Sequence, residues 1–318
     1  MRRRAVSIWK FLFLSSLVIS AKSAFAEETP ANQVDAGYSV SDFAQALNLQ
    51  TKLQDAPGVF SGRKDFIETT LGPVMLRQPW GFESTLRTSP IHLIRQAWNA
   101  ASHFLAQEQF PEFLHEARFG WNVVVTNHQG LRVEGSKVSS EYCHTALMGP
   151  PADVLIDGYR LFHPCRVLEP MPPPETRLLR SLTHEVGHGV EYQLLGNGFS
   201  RRQRWHSEGF ASWFEARAVD FLPNVKPGEL RAEKLKEAKK SFRMNWRPYL
   251  FSGSPEDYSV SYALLTFLAE RKGVPALLQT YARMSAEHAS FAEAVEKQFG
   301  LSFEAWMAET DAFLKEVQ

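Results

Sequence analysis

The chain places two histidines and a glutamate as His184-Glu185-Val186-Gly187-His188, within a segment (176–196) whose leucines and arginines otherwise have helical spacing. Four-residue spacing sets His184 and His188 one above the other on one helix face. Such a pair can grip one metal ion from a single helix, and the intervening Glu185 can act as a general base. A catalytic zinc takes three protein ligands and keeps a fourth position open, so a carboxylate or imidazole must arrive from another element. "WHSEGFASWFE" places Glu208 twenty residues after His188, at the start of a second amphipathic stretch. That interval suffices to end one helix, turn through "GNGFSRRQR" and return beside it. The plainer reading, a helix with two incidental histidines, loses ground to this second stretch.

Other residues near these motifs have two readings each. His206, two before Glu208, reads as a surface histidine, with an oxyanion donor or rival third ligand as the sharper alternative. Glu191 shares a helix face with His184, and Glu215 lies two turns beyond Glu208; each could orient a ligand or sit solvated on a helix rim. Gly187 and Gly189 flank His188 and lower helix propensity relative to alanine, which points to close approach by another element or to drift.

The elements that must position these residues can be read from periodicity and punctuation. "DFIETTLGPVMLR" reads as one or two strands with a Gly-Pro turn. "PIHLIRQAWNAASHFLAQEQF" is a helix with Pro90 in its first turn. "GWNVVVTN" is a valine-rich strand, and "ADVLIDGYRLFHP" a strand and turn. The proline-rich "EPMPPPET" stops the chain and launches the histidine helix, and "SEGFASWFEARAVDFL" is the second helix. "ELRAEKLKEAKK" is a charged helix or loop in which Glu233/Lys236 and Glu237/Lys240 are spaced for surface pairs. "YSVSYALLTFLAERKG" is a helix ending at Gly273, and two more follow, "VPALLQTYARM" and "SFEAWMAETDAFLKEV". Strands precede helices, so the fold class is α+β.

Gross composition sets the remaining bounds. Of 318 residues 44% are hydrophobic, enough for a sizeable core. The start is basic ("MRRRAVSIWK"), then apolar ("FLFLSSLVIS"), then offers an Ala-x-Ala site in "SAFAEE". This reads as a signal peptide over 1–26, so the protein is expected to be exported and periplasmic or secreted. The apolar run is too short to span a bilayer, and no transmembrane anchor is expected in the mature chain. Residues 27–58 read as a partly ordered lead segment, and 59–318 as one catalytic domain. Five of the 35 basic residues and none of the 35 acids lie in 1–26, so the remainder has 30 basic residues, a net of −5. No basic stripe points to nucleic acid.

Cys143 and Cys165 are the two cysteines. In an oxidising compartment they read as a disulfide; the rival is a metal site with His144 and His163.

"HEVGH" followed by "SEGFASWFE" resembles the gluzincin metallopeptidases, the group of thermolysin and the aminopeptidase-N-like enzymes, and overall the compact peptidase MA-like proteins. The match covers about 178–215, and more weakly the later helices. The resemblance implies a zincin-like domain in which a mixed N-terminal sheet packs on the active-site helix, followed by a mostly helical half. It implies Zn²⁺ held by His184, His188 and Glu208, with Glu185 as base. It also implies an oxyanion donor from a tyrosine on a later helix, Tyr258 first and Tyr262 second. The His188–Glu208 interval is one residue longer than the usual aminopeptidase spacing. The Gly-x-Met-Glu-Asn stretch that grips a free N-terminus in aminopeptidases is absent, which argues against that specificity.

The expected activity is hydrolysis of peptide bonds in a peptide or protein substrate. Peptides are expected to bind as an added strand at a sheet edge, with "GWNVVVTN" the candidate and a buried central position its alternative. Two other functions remain open: a catalytically silent binding or scaffold protein on this fold, and hydrolysis of a non-peptide amide such as a cell-wall cross-link. Oligomeric state is not legible.

Overall fold

The computed structural model describes residues 62–110, 120–126, 146–149, 153–162, 171–196 and 202–317. All of them lie in one compact unit, Asp35–Gln318. The expected signal peptide, the lead segment and both readings of Cys143 and Cys165 fall outside the described residues.

Five strands form one mixed sheet: β1 (Gly62–Ile67), β2 (Val74–Pro79), β3 (Trp121–Thr126), β4 (Ala146–Gly149) and β5 (Asp153–Asp157). The Gly-Pro turn joins β1 to β2 as antiparallel neighbours, with Ile67 opposite Val74. β2 and β3 are parallel, so the chain between them must cross over, and α1 (Pro90–Gln107) lies on that crossover. β5 pairs parallel with β3 on one side and antiparallel with β4 on the other. The order is therefore β1-β2-β3-β5-β4. This places "GWNVVVTN" at the centre of the sheet, not at an edge. Trp121, Val123 and Val125 are all buried, as a strand paired on both sides allows. Among the described residues the two edges are β1 and β4.

Helices cover the face to which these alternating residues point. α1 buries Leu93, Ile94, Ala97, Trp98, Ala101, Phe104 and Leu105, a stripe at helical spacing. Trp98 meets Trp121 edge to face at 5.2 Å. After a short helix α2 (Gly158–Phe162), the histidine helix α3 (Pro174–Leu195) starts with Pro174 in its first turn, where a missing N–H costs nothing. From Leu182 to Glu191 α3 is buried almost all round, packed against α1 and β4.

The rest of the chain is helical: α4 (Arg204–Ala218), α5 (Glu229–Ser241), α6 (Pro255–Phe267, continued by a π turn to Lys272), α7 (Val274–Glu287), α8 (Phe291–Phe299) and α9 (Phe303–Glu316). α4 lies between α3 and α6 and is buried over nearly its whole length. Gly273 (φ +92) ends the α6 run, as read from the sequence. Of the two surface pairs expected on α5, Lys240–Glu237 forms at 2.7 Å. Glu233 instead reaches Arg180 on α3 at 3.4 Å. The architecture is a zincin-like α+β fold: a mixed sheet packed on the active-site helix, then a largely helical half.

Candidate metal centre

Glycines bring the two site helices together. A Cβ at Gly187 would stand 3.0 Å from Ala211 Cα and Phe214 Cβ on α4. A Cβ at Gly189 would overlap the Trp121 indole. Close approach is therefore the reason for both glycines, since any side chain would push α4 or the sheet away. Gly209 does the same on the far side of α4, where a Cβ would lie 2.7 Å from the Ser261 carbonyl oxygen of α6.

With the helices this close, three side chains converge. His184 Nε2 lies 3.3 Å and His188 Nε2 3.4 Å from Glu208 Oε2. The donor atoms of the three residues all lie within 4.8 Å of one another. Two ligands about 2.05 Å from a tetrahedral zinc are separated by about 3.3 Å, so the carboxylate–imidazole spacings fit that ion. His188 and Glu208 are buried, while His184 keeps partial access to solvent.

The electrostatics also suit a cation. Burial opposes a charged His184, but the Glu208 and Glu215 carboxylates outweigh it and raise its pKa to about 10. Burial likewise opposes ionisation of Glu208, yet the two imidazoles hold it well below the usual carboxylate range. The pocket thus favours positive charge strongly enough to hold a proton on a buried imidazole, and a divalent ion is the alternative occupant. Glu185 differs: burial pushes its pKa up, and its Oε2 accepts no hydrogen bond among the described residues. A buried, unbonded carboxylate oxygen is costly unless it has a partner in the working state.

The far nitrogen of each imidazole is backed by a buried carboxylate. His184 Nδ1 lies 3.4 Å from Glu215 Oε2, which also accepts from Lys234 Nζ at 2.9 Å. His188 Nδ1 lies 3.2 Å from Ser207 Oγ and 3.8 Å from Glu191 Oε2. Arg202 donates from Nε to Glu191 at 3.0 Å, and its Nη2 approaches His188 Nδ1 at 2.8 Å. An arginine only donates, so this last contact suits the tautomer with the proton on Nε2. Ligation through Nε2 instead puts the proton on Nδ1, where Ser207 Oγ can accept it, and the Arg202 contact must open. Glu191 and Glu215 are therefore not solvated rim acids; each lies behind a metal ligand.

His206 is fully buried, not a surface residue, and lies outside the cluster of three donor atoms. Its Nε2 accepts the Gln203 backbone N–H at 3.0 Å, capping α4, and its ring stacks on Phe291 at 4.7 Å. Tyr262 is also buried, with Lys234 Nζ 5.6 Å from its ring, and burial drives its pKa up. That position faces α5 rather than an open cleft. Tyr258 is half-buried, its ring 5.7 Å from Phe251. Of the neighbouring stretch, Ser261 of α6 lies against Gly209 of α4, and the Arg204 guanidinium lies beside Gly253, just before α6.

Ser207, Arg202 and Lys234 were not singled out in the sequence. Ser207 adjoins Glu208, which is a signal; Arg202 sits in a loop and Lys234 on a charged helix, where nothing marks them.

No protein-family model matches the chain, and no curated protein matches it. Among the described residues no helix is long and apolar enough to cross a membrane. The centre itself, His184-Glu185-x-x-His188 with Glu208 from the next helix, is a donor set consistent with a gluzincin-type zinc site and supports assignment as a zinc-dependent hydrolase of the metallopeptidase kind.

Proposed function

We propose that this protein is an exported zinc peptidase in which Glu185 is the general base and Tyr258 the oxyanion donor. The observation that carries the reading is the unbonded, buried Oε2 of Glu185 on the helix that holds both histidines. His184, His188 and Glu208 would hold the zinc, which would supply Lewis acidity to a water and to the substrate carbonyl. Glu185 takes the proton from the attacking water and passes it to the leaving amine; its raised pKa brings it closer to the working pH. The Tyr258 hydroxyl donates to the carbonyl oxygen as charge develops there.

The peptide is proposed to lie along β4. That strand pairs with β5 on one side, has no partner on the other among the described residues, and lies against α3. An edge of this kind offers backbone donors and acceptors to an extended chain. Export rests on the basic, apolar and Ala-x-Ala pattern of 1–26.

The test is Glu185→Gln assayed on a mixed peptide library with zinc content measured. Glutamine keeps the shape but cannot accept the proton. Turnover is expected to fall by roughly two to four orders of magnitude with the metal retained. A variant cleaving at the wild-type rate would overturn the mechanism. A zinc-loaded wild type silent on every peptide would point to a scaffold or to a non-peptide amide.

A further inference from the structure

We infer that Arg204 is a positioning residue that holds one oxygen of Glu208 aside, so that this carboxylate offers the metal only the other, an inference resting on the metal-centre reading. The two oxygens of Glu208 have different surroundings. Oε2 lies 3.3 Å from His184 Nε2 and 3.4 Å from His188 Nε2. Oε1 instead lies 3.9 Å from Arg204 Nε. That distance makes the contact one of charge rather than a hydrogen bond. The two side chains are 18% and 5% exposed, so the contact is screened less than one at the surface.

Helix chemistry does not explain an arginine at this position. Arg204 is the first residue of α4, and a cation there opposes the helix dipole, whose positive end is the N-terminus. An arginine one turn before its glutamate is also the weaker order for an i,i+4 pair. The surroundings are nonetheless built to keep it there. Gly253, at φ +84, packs against the guanidinium: a Cβ on it would stand 2.9 Å from Nη2 and 3.1 Å from Cζ. The Phe251 ring centroid lies 5.5 Å from Cζ, within range of cation–π attraction. Phe251 is buried, and Asp257 ties down the residue after it, accepting from Ser252 N and Oγ at 2.7 Å each. A glycine and an aromatic ring on one fastened loop thus seat the guanidinium beside Glu208 Oε1.

The consequence follows from the ligand count. A catalytic zinc takes three protein ligands and keeps a fourth position for water. His184, His188 and Glu208 Oε2 make three. A carboxylate can also bind a metal through both oxygens. Glu208 turned in that way would bring Oε1 into the position kept for water. The attraction between Oε1 and Arg204 opposes that turn. Glu215 and Glu191 stand behind the two imidazoles, and Arg204 does the corresponding work for the carboxylate.

The experiment loads the full chain with cobalt(II) in place of zinc and records its visible absorption, which weakens as the coordination number rises from four. Wild type should give the strong band of a four-coordinate site. Arg204→Gln removes the charge and should give a weaker band, with turnover of the zinc form down about 10- to 100-fold at full occupancy. Arg204→Lys keeps the charge and should retain most of the wild-type band. Gly253→Ala leaves Arg204 in the chain but fills its seat, and should move the spectrum toward that of Arg204→Gln. Should Arg204→Gln fail to fold, Gly253→Ala decides on the same criterion. Arg283→Gln removes another i,i+4 arginine–glutamate pair, on α7, and should leave the band as it is. A weak band in wild type, or a band unchanged in Arg204→Gln and Gly253→Ala, overturns the inference and leaves the metal centre standing. Equal losses in Arg204→Lys and Arg204→Gln overturn it too, because charge is then not the agent. A wild type that binds neither zinc nor cobalt overturns the metal centre and the role of Arg204 together.

Discussion

Glu215 Oε2 stands 3.4 Å from His184 Nδ1, on the side of the imidazole away from Glu208. This buried carboxylate accepts the Nδ1 proton and so leaves Nε2 free to bind metal. Lys234 holds its pKa down, to about 2, against the burial that would raise it. Glu215→Gln should therefore weaken zinc binding by about 10- to 100-fold with the fold intact. Competition with a chromophoric chelator measures the affinity, and an unchanged value would remove Glu215 from the centre.

Gly189→Ala should destabilise the protein by roughly 1–3 kcal/mol, although alanine is the better helix former by about 1 kcal/mol. The added methyl overlaps the Trp121 indole, which is boxed in by Trp98 and by the strands on either side. Denaturant unfolding decides the sign. A stabilised variant would show that the approach of α3 to the sheet is looser than described.

Much of the centre was legible because metal chemistry restricts residue type and spacing at once. His184, His188 and Glu208 had to be two imidazoles a turn apart and a third donor on the next helix, and the structure brings them together. The place of "GWNVVVTN" was not legible, because a strand's neighbours depend on distant pairing and Val-rich runs suit centre and edge alike. β4 went unread because four residues carry too little pattern. α8 was missed despite a visible signal, the Ser290-x-x-Glu293 capping box: Ser290 Oγ accepts from Glu293 N, and Glu293 Oε2 accepts from Ser290 N. His206 misled because burial of a histidine depends on aromatic neighbours, Phe291 and Tyr281, that are remote in sequence.

Asp257 should make stability depend on acid pH. Burial opposes its ionisation, but donors from Ser252 and Trp246 outweigh this and lower its pKa in the fold. A lowered folded-state pKa means that its contribution is complete above the unfolded value of about 3.9 and is lost as pH falls below it. Asp257→Asn should cost about 1–3 kcal/mol at pH 7, with the difference from wild type shrinking below pH 4. Denaturation curves at both pH values check this; a constant difference would contradict the linkage.

Tyr258→Phe should keep zinc and fold but lower kcat by roughly 10- to 1000-fold, with a smaller change in KM, if the hydroxyl meets the developing oxyanion. Tyr262→Phe should not show this split, since Tyr262 is buried against α5. Steady-state kinetics on one peptide compares the two; equal effects would remove Tyr258 from its assigned role.

The most direct measurement is the zinc content of the purified protein by elemental analysis, for wild type and for His184→Ala/His188→Ala. Three donor atoms within 4.8 Å, with both carboxylate–imidazole spacings near the tetrahedral value, predict about one zinc per wild-type chain and almost none in the double variant. Circular dichroism should show the variant still folded, so that loss of metal is not loss of structure. Stoichiometric zinc in the folded double variant, or no zinc in wild type after equilibration with the ion, would contradict the account.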